Sequence, residues 1–329
     1  MWALEGGLAS SDLHGAVSPA YRIYTPVDDI DSRYLHYLVK SSPYLEQYRL
    51  YIRGITTFDR SITKDDFNDL PVLVPPLDEQ RRIADFLDAE TARIDGLQST
   101  RNHQFAVLDE LVASRISALV PSQADVPFVR LGYFSVIQSG ITVDANRDPG
   151  PDSVTLPYLR VANVQDGRLD LGSIIEITVP RTVARSSTLR PGDVLMTEGG
   201  DLDKLGRGTV WNAEIQNCLH QNHVFAVRPD QTKLSPDYLA LMTRTAYARA
   251  YFESTGTKTT NLASTSSSKI RDFRIPLIDL TAQARIVHET NAWLADISRV
   301  QAVLTQQRAL LAERRQVLIT AAVTGGITI

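Results

Sequence analysis

A single long helix constrains this chain more than any other feature. It begins after Pro75-Pro76 in the stretch "LVPPLDEQRRIADFLDAE", and no proline follows before Pro121. Stepping by four and three residues from Ile83 meets mostly apolar side chains as far as Ala118. A spacing of this kind, held over several heptads, predicts a coiled-coil seam. At about 1.5 Å per residue, such a helix would be about 60 Å long.

The chain also contains an internal repeat. When the sequence is shifted by about 203 residues, Asp69 falls on Asp272 and Gln80 falls on Gln283. The long helix falls on a second copy that begins in "PLIDLTAQARIVHETNAWLAD". Self-similarity over such a distance indicates one structural unit used twice. The predicted unit contains strands, a short helix, a loop, a strand that ends at proline, and a long helix.

The two long helices carry their apolar residues in the same register. Either each helix packs on its own domain, or the two pack on each other and act as a spacer. We favour the second interpretation, because the predicted length exceeds what a domain of about 150 residues could cover. The predicted pairing residues are Ile83, Leu87, Ile94, Leu97, Leu108 and Leu111 in the first helix, and Ile286, Trp293, Ile297, Val300, Leu304, Leu311 and Leu318 in the second.

Length and composition describe an ordinary globular protein. The 329 residues suffice for two domains. The net charge of −4 argues against a surface coated with basic groups, although it allows a local basic patch. Cys218 is the only cysteine, so no disulfide framework is expected. No apolar run approaches the ~18 residues of a membrane span, and "MWALEGGLASSD" does not resemble a signal peptide. We therefore expect a cytoplasmic protein.

Motifs for catalysis are missing from the sequence. It contains neither a Gly-x-x-x-x-Gly-Lys-Ser/Thr phosphate loop nor a Gly-x-Ser-x-Gly nucleophile elbow. No lysine follows an acidic residue at the spacing of a common nuclease centre. A metal cluster of Cys218, His220 and His223 is conceivable, but the alternation in "HVFAV" favours a strand with ordinary hydrogen bonds. We therefore predict a protein without catalytic residues or a metal, and disfavour a free-standing enzyme.

Several stretches resemble the specificity subunit of type I restriction-modification systems. "PPLDEQRRIADFLD" is similar to the opening of that family's first spacer helix, and "ERRQVLITAAVTG" to the close of its second. "LPYLRVANVQDGRLDL", "LRPGDVLMTEGGDLDKLGRGTVW", "HQNHVFAVRP" and "TTNLAS" resemble motifs of one type of target-recognition domain. "GAVSPAYRIYTP" resembles the corresponding stretch of another type. The similarity covers nearly the whole chain.

The resemblance implies an α+β fold in which two target-recognition domains alternate with two long helices that pair as an antiparallel coiled coil. It implies a subunit without catalytic activity that binds double-stranded DNA and positions methyltransferase and restriction subunits on a bipartite site. S-adenosylmethionine, ATP and Mg would be used by those partner subunits, with no cofactor in this chain. Systems of this kind serve in DNA methylation and phage defence.

The resemblance also implies domain bounds and two departures from the family pattern. We expect a partial first recognition domain at 1–75, a spacer helix at 76–122, a complete second recognition domain at 123–277, and a second spacer helix with a tail at 278–329. Nothing like Pro127–Trp211 precedes the first unit, so we expect an N-terminally truncated domain that a second copy or a separate fragment could complete. "IDLTAQARI" lacks the usual Pro-Pro and Glu-Gln start, which would weaken a methyltransferase contact.

Candidate DNA contacts lie in the second unit. Lysine and arginine suit phosphates, and asparagine suits adenine. For the pair in "YLRVANV" a structural role at a strand end is an equal alternative. The candidates are Lys204 and Arg207 in "DKLGRG", Lys258, Thr259, Thr260 and Asn261 in "GTKTTNLAS", and Arg160 and Asn163 in "YLRVANV".

Two functions remain open at this stage. The first is a DNA-specificity subunit. The alternative is an assembly scaffold that binds methyltransferase subunits but has lost the reading of one half-site through truncation.

Overall fold

A computed structural model describes residues 8–11, 13–18, 21–25, 29–51, 62–143, 150–200, 205–258 and 263–329. The chain divides into two compact units. Unit 1 comprises Met1–Ala106 with Val300–Ile329, and unit 2 comprises Val107–Arg299. Each of the two long helices therefore contributes one portion to each unit. None of the helices in the described ranges combines the length and the hydropathy that a membrane span requires.

The helices reproduce the helical part of the predicted repeat. The helices are α1 (Ser32–Val39), α2 (Ser42–Tyr51), α3 (Lys64–Asn68), α4 (Leu77–Ser117), α5 (Arg181–Ser187), α6 (Pro236–Thr243), α7 (Ala246–Thr255), α8 (Ser267–Asp272) and α9 (Leu280–Val323). The strands are β1 (Phe128–Arg130), β2 (Ser135–Ser139), β3 (Ser153–Leu159), β4 (Val164–Gln165), β5 (Arg168–Leu169), β6 (Ile175–Pro180), β7 (Asp193–Thr197), β8 (Gly199–Gly200), β9 (Gly208–Trp211), β10 (Leu219–His220), β11 (Val224–Pro229), β12 (Thr257–Lys258), β13 (Ala263–Ser264) and β14 (Arg274–Pro276). The succession α1 to α4 recurs as α6 to α9, and the predicted α+β class is confirmed.

Unit 1 packs its short helices on the start of α4 and the end of α9. Asp31 caps α1, because its carboxylate accepts hydrogen bonds from the backbone N–H groups of Arg33 and Tyr34 at 3.0 and 3.1 Å. Burial of tyrosine and aliphatic side chains then holds the unit together. The buried core consists of Tyr34, Tyr37, Leu38, Tyr44, Tyr48, Ile62, Leu70, Ile83, Ala84, Leu87, Ile319, Ala322 and Val323.

The two long helices pair with opposite chain directions in unit 1. Asp95 forms an ion pair with Arg315, and the Arg308 guanidinium lies 5.5 Å from the centre of the Phe105 ring. From Asp95 to Phe105 along α4, the contacting residue on α9 moves back from Arg315 to Arg308, so the helices are antiparallel. The predicted pairing is thereby confirmed. In unit 2 the same two helices meet where the Arg115 guanidinium lies 4.5 Å from the Trp293 ring centre, within the range of a cation–π contact.

The predicted seam is buried only in parts. Ile83, Leu87, Ile94 and Leu304 are buried. Three other members are exposed: Leu97 by 41%, Leu111 by 47% and Val300 by 47%. The remaining members are half-buried, namely Leu108, Ile286, Trp293, Ile297, Leu311 and Leu318. The row is therefore not a continuous buried seam. A strict seven-residue repeat drifts by about 20° per heptad around a straight helix, so it turns away from the partner unless the helices supercoil fully.

Unit 2 is built on a four-stranded antiparallel sheet. The strand order is β2-β11-β7-β9, with Val227 opposite Val194 in the two central strands. Both residues are fully buried against Tyr238 and its neighbours in α6. The second face of the sheet buries Trp211 within a separate cluster. Smaller sheets flank this core, including β1-β14 and β10-β3-β6.

When the two copies of the repeat are aligned, they differ at the positions that form strands in unit 2. Residues 21–25 correspond to β11, and residues 71–73 correspond to β14, yet in the described part of unit 1 these segments form no strand. Ile23 is 76% exposed and Val72 is 42% exposed, whereas Ala226 and Ile275 in the corresponding strands are 1% and 0% exposed. These apolar side chains of unit 1 are therefore exposed, whereas their counterparts in unit 2 are buried.

The first prediction concerns the helix pair. Leu304→Asp should lower the free energy of unfolding by about 3 kcal/mol or more, because it removes a buried leucine and places a charge there. Val303→Asp is the matched control, since Val303 is 52% exposed and should change stability by no more than about 0.5 kcal/mol. Urea unfolding followed by circular dichroism measures both. Equal midpoints for the two variants would show that Leu304 does not lie in a packed interface.

A second prediction concerns the exposed segment of unit 1. Limited chymotrypsin digestion should cleave first after Leu13, Tyr21 and Tyr24, whose side chains are 89%, 67% and 42% exposed. The buried sites Tyr238 and Phe252 of unit 2 should survive longer. N-terminal sequencing of the fragments over a time course identifies the order of cleavage. Cleavage after Tyr238 or Phe252 at the same rate would mean that the exposed segment is no weaker than the packed core of unit 2.

Candidate nucleic-acid interface

A small sheet in unit 2 joins the two predicted DNA-contacting stretches. β8 pairs antiparallel with β13, and β13 pairs antiparallel with β12. Gly200 and Lys258 both lie opposite Ala263. The last residues of β8 and β12 therefore lie at the same end of the sheet as the first residue of β13. The chain continues from that end into residues 201–204 after β8, and into residues 259–262 between β12 and β13.

The structure covers the predicted contacts of these stretches only in part. Lys204, Thr259, Thr260 and Asn261 lie outside the described residues, so their placement stays a prediction. Lys258 is the last residue of β12, and Arg207 is half-buried just before β9. The sheet thus brings together two segments that are about fifty residues apart in sequence.

The turn before Arg207 requires a glycine. Gly206 has a φ of +65°, and a Cβ atom at this position would lie 2.5 Å from the ring of Phe252. Only glycine accepts both the left-handed backbone and the close approach of the ring. The Gly206 N–H donates to the Thr197 carbonyl at 3.1 Å, and the Thr197 N–H donates to the Arg207 carbonyl at 3.3 Å. These bonds hold the backbone of Arg207 against the end of β7.

The hydrogen bonds of Asn163 correspond to the structural role, one of the two alternatives that the sequence left open. Its side chain is 3% exposed, and its Oδ1 accepts a hydrogen bond from the Arg160 N–H at 2.8 Å. Its Nδ2 donates to the carbonyls of Asp170 and Ser173 at 2.8 and 3.2 Å. An amide engaged in this way has no donor left for a base. The guanidinium of Arg160 donates a hydrogen bond to the Ser173 carbonyl at 3.3 Å. Arg160 directly follows β3, which belongs to a different sheet from β8, β12 and β13.

Beside the small sheet lies a polar cluster that sequence reasoning missed. The Nδ1 atom of His223 lies 2.6 Å from Oε2 of Glu198, and its Nε2 atom lies 3.3 Å from Nδ2 of Asn222. Glu198 directly precedes β8, and its carbonyl accepts a hydrogen bond from the Thr265 N–H, which directly follows β13. The cluster therefore sits at the opposite end of this sheet from Gly200 and Lys258. No spacing rule connects Glu198 with His223, so no sequence signal indicated this pair.

The three side chains that the sequence suggested as a conceivable metal cluster lie in different surroundings in the structure. His220 is fully buried, with Nδ1 2.7 Å from the Val224 carbonyl oxygen, and burial lowers its pKa. Burial raises the pKa of the Cys218 thiol to about 12. His223 is instead exposed and paired with Glu198. Across the described ranges, no group of three or more His, Cys, Asp or Glu side chains is arranged to hold a metal ion.

Part of the chain matches a known protein family. Residues 20–104 match the family described as "Type I restriction modification DNA specificity domain". This region includes the described short helices of unit 1 and most of α4.

Curated relatives point to the same class. The putative type I restriction enzyme MjaX specificity subunit of Methanocaldococcus jannaschii is 21% identical over 58% of this chain and 44% of its own length. The StySPI specificity subunit of Salmonella potsdam is 27% identical over 53% of this chain and 37% of its own length. These two matches span less than half of either relative. The EcoKI specificity subunit of Escherichia coli is 23% identical over 93% of this chain and 68% of its own length.

Solved structures share the fold. A chain from a study of complex assembly and conformational transition of the type I R-M system matches with a TM-score of 0.69 at 21% identity, over 90% of this chain and 72% of that one. The HsdS subunit from Thermoanaerobacter tengcongensis matches with a TM-score of 0.50 at 22% identity, over 91% of this chain and 72% of that one.

Proposed function

We propose that this chain belongs to the family of type I restriction-modification specificity subunits and that it recognises DNA sequence as the subunit without catalytic activity in such a complex. The observation that carries the proposal is the β8-β13-β12 sheet, which places Lys258 at the same end as Gly200, the last described residue before Lys204. Lys258 and Arg207, with Lys204, supply positive charge for phosphates, and Asn261 supplies the amide that suits an adenine edge. The net charge of −4 fits a protein that binds DNA through such a local patch.

The long helices support a spacing role within this function. Helices of 41 and 44 residues are about 62 and 66 Å long at 1.5 Å per residue. One turn of B-DNA is about 34–36 Å. The helix pair thus has the length to separate two DNA-reading surfaces by more than one turn, as a bipartite site requires.

Partner subunits follow from the same proposal. We propose methyltransferase and restriction subunits as partners, with S-adenosylmethionine, ATP and Mg bound by those subunits. An exposed apolar row on α9 is suited to a protein partner. It consists of Val303, Leu310 and Val317, spaced seven residues apart and exposed by 52%, 54% and 60%. Apolar side chains repeated along one exposed helix face are typical of a docking surface.

The same row favours the second candidate function. A chain that only assembles methyltransferase subunits would use the row on α9 without reading a bipartite site. The two functions differ in the DNA that becomes methylated.

Methylome sequencing separates these functions. Cells that express the chain together with a methyltransferase partner should contain a methylated bipartite motif that is missing without the chain. A palindromic motif would indicate that two copies of the same recognition unit read the DNA. The absence of any new motif, with methyltransferase subunits still co-purifying, would leave only the assembly function.

The third prediction separates phosphate contacts from base contacts. Lys258→Ala should weaken binding to every duplex and reduce the slope of log K against log salt by about one, because one phosphate contact is lost. Asn261→Ala should instead reduce discrimination at one base pair by about 1–3 kcal/mol. Lys64→Ala, in α3 of unit 1, controls for the loss of one positive charge.

Binding curves on cognate and scrambled duplexes at several salt concentrations measure both effects. If Asn261→Ala weakens binding equally on the two duplexes, then Asn261 positions the protein and reads no base. If Lys64→Ala changes the salt slope as much as Lys258→Ala does, the loss at Lys258 reflects overall charge.

A further inference from the structure

The start of α4 contains a buried glutamine with unusually complete hydrogen bonding. Gln80 is 0% exposed. Its Nε2 donates to the Pro75 carbonyl at 2.8 Å and to the Asp29 carbonyl at 3.0 Å. Its Oε1 accepts from the Asp31 N–H at 2.9 Å. The amide therefore binds the segment that leads into the long helix and also the residues that begin α1.

The start of α9 repeats this arrangement in unit 2. Gln283 is likewise 0% exposed. Its Nε2 donates to the Ile278 carbonyl at 2.8 Å and to the Lys233 carbonyl at 2.9 Å, and its Oε1 accepts from the Ser235 N–H at 2.8 Å. Ser235 caps α6 as Asp31 caps α1. Each glutamine thus bonds the carbonyl five residues before it, the N–H of a helix-capping residue, and the carbonyl two residues before that cap.

We propose that Gln80 and Gln283 are positioning residues that fix the angle between the globular part of each unit and its own long helix. If the chain reads a bipartite site, as proposed above, these two angles also set the gap at which both halves can be read. Three directional bonds from one rigid amide admit a single arrangement of the segments that they join.

The choice of residue supports a positioning role over simple packing. A leucine would fill a similar volume and would avoid the cost of burying a polar side chain. A glutamate that is ionised cannot donate to the two carbonyls, and an asparagine is one methylene shorter. Only glutamine supplies two donors and an acceptor at this reach, and it stands at the equivalent position in both units.

The primary test measures the angle in unit 1 directly. Spin labels are attached at Glu46→Cys in α2 and Asn102→Cys in α4, which are both exposed. Pulsed electron paramagnetic resonance then measures the distance between the globular part of the unit and the long helix. Gln80→Leu should broaden or shift this distance distribution in protein that remains folded. Gln104→Leu, an exposed substitution on the same helix, should leave it unchanged. An unchanged distribution in folded Gln80→Leu overturns the proposal, since a residue that only stabilises would not alter the geometry.

The second unit provides an internal control. Labels at Ala250→Cys in α7 and Ala295→Cys in α9 are exposed, and the native Cys218 is 1% exposed and protected from labelling. Gln283→Leu should change this distance and leave the pair in unit 1 unchanged, whereas Gln80→Leu should do the reverse. Equal changes at both pairs from either variant would indicate general loosening and would contradict two separate local constraints.

A titratable variant covers the case in which Gln80→Leu does not fold. The neutral carboxyl of Gln80→Glu keeps one donor and one acceptor, and its ionised form keeps no donor. Burial raises the pKa of such a carboxyl, so the ionised form appears only as the pH rises. The distance distribution of Gln80→Glu should therefore broaden between about pH 5 and about pH 9, while that of Gln104→Glu stays constant. A distribution that does not respond to pH overturns the proposal.

A DNA experiment tests the consequence for spacing. The Kd for a duplex with a gap one base pair longer, divided by the Kd for the preferred gap, should fall severalfold in Gln80→Leu. Retained gap discrimination together with a changed distance distribution would overturn the link to spacing and leave the positioning role. A wild-type protein without any gap preference would count against the proposed function, while the distance measurements would still decide the role of the glutamines.

Discussion

Two helices of 41 and 44 residues can keep their apolar stripes out of water only by packing along much of their length. The rest of the architecture depends on this constraint. Each compact unit contains the start of one long helix, the end of the other, and a set of short helices. Ile83 and Leu87 share the core of unit 1 with Ile319 and Val323, so neither helix portion could be removed without exposing the other.

The packed helices also determine what the recognition elements can do. In unit 2 the β8-β13-β12 sheet is built on β7, whose Thr197 bonds the turn around Gly206. The backbone of Arg207 is thereby held against a strand of the buried core, and the long helix of the same unit begins at Leu280. A site on a rigid support can hold side chains against base edges with little loss of conformational entropy on binding.

Periodicity and self-similarity predicted the larger features well. The long helices, the repeat of α1 to α4 as α6 to α9 and the helix pairing all follow from patterns that the chain displays in one dimension. The exposure of Leu97 and Val300 could not be predicted, because spacing alone does not show where a row drifts away from its partner. The role of Asn163 depended on which carbonyls lie within reach of its amide. The pairing of Glu198 with His223 required the fold itself, since 25 residues separate them.

We propose that the helix pair sets the distance between two DNA-reading surfaces, and a matched insertion in both helices tests this role most directly. Seven residues are inserted between Ala106 and Val107 in α4, and seven between Arg299 and Val300 in α9, so that the heptad register of both helices is kept. The pair should lengthen by about 10 Å, or about three base pairs. The methylated motif is then determined in cells that contain the methyltransferase partner. Our account predicts unchanged half-sites separated by a gap about three base pairs longer. An unchanged gap would contradict it.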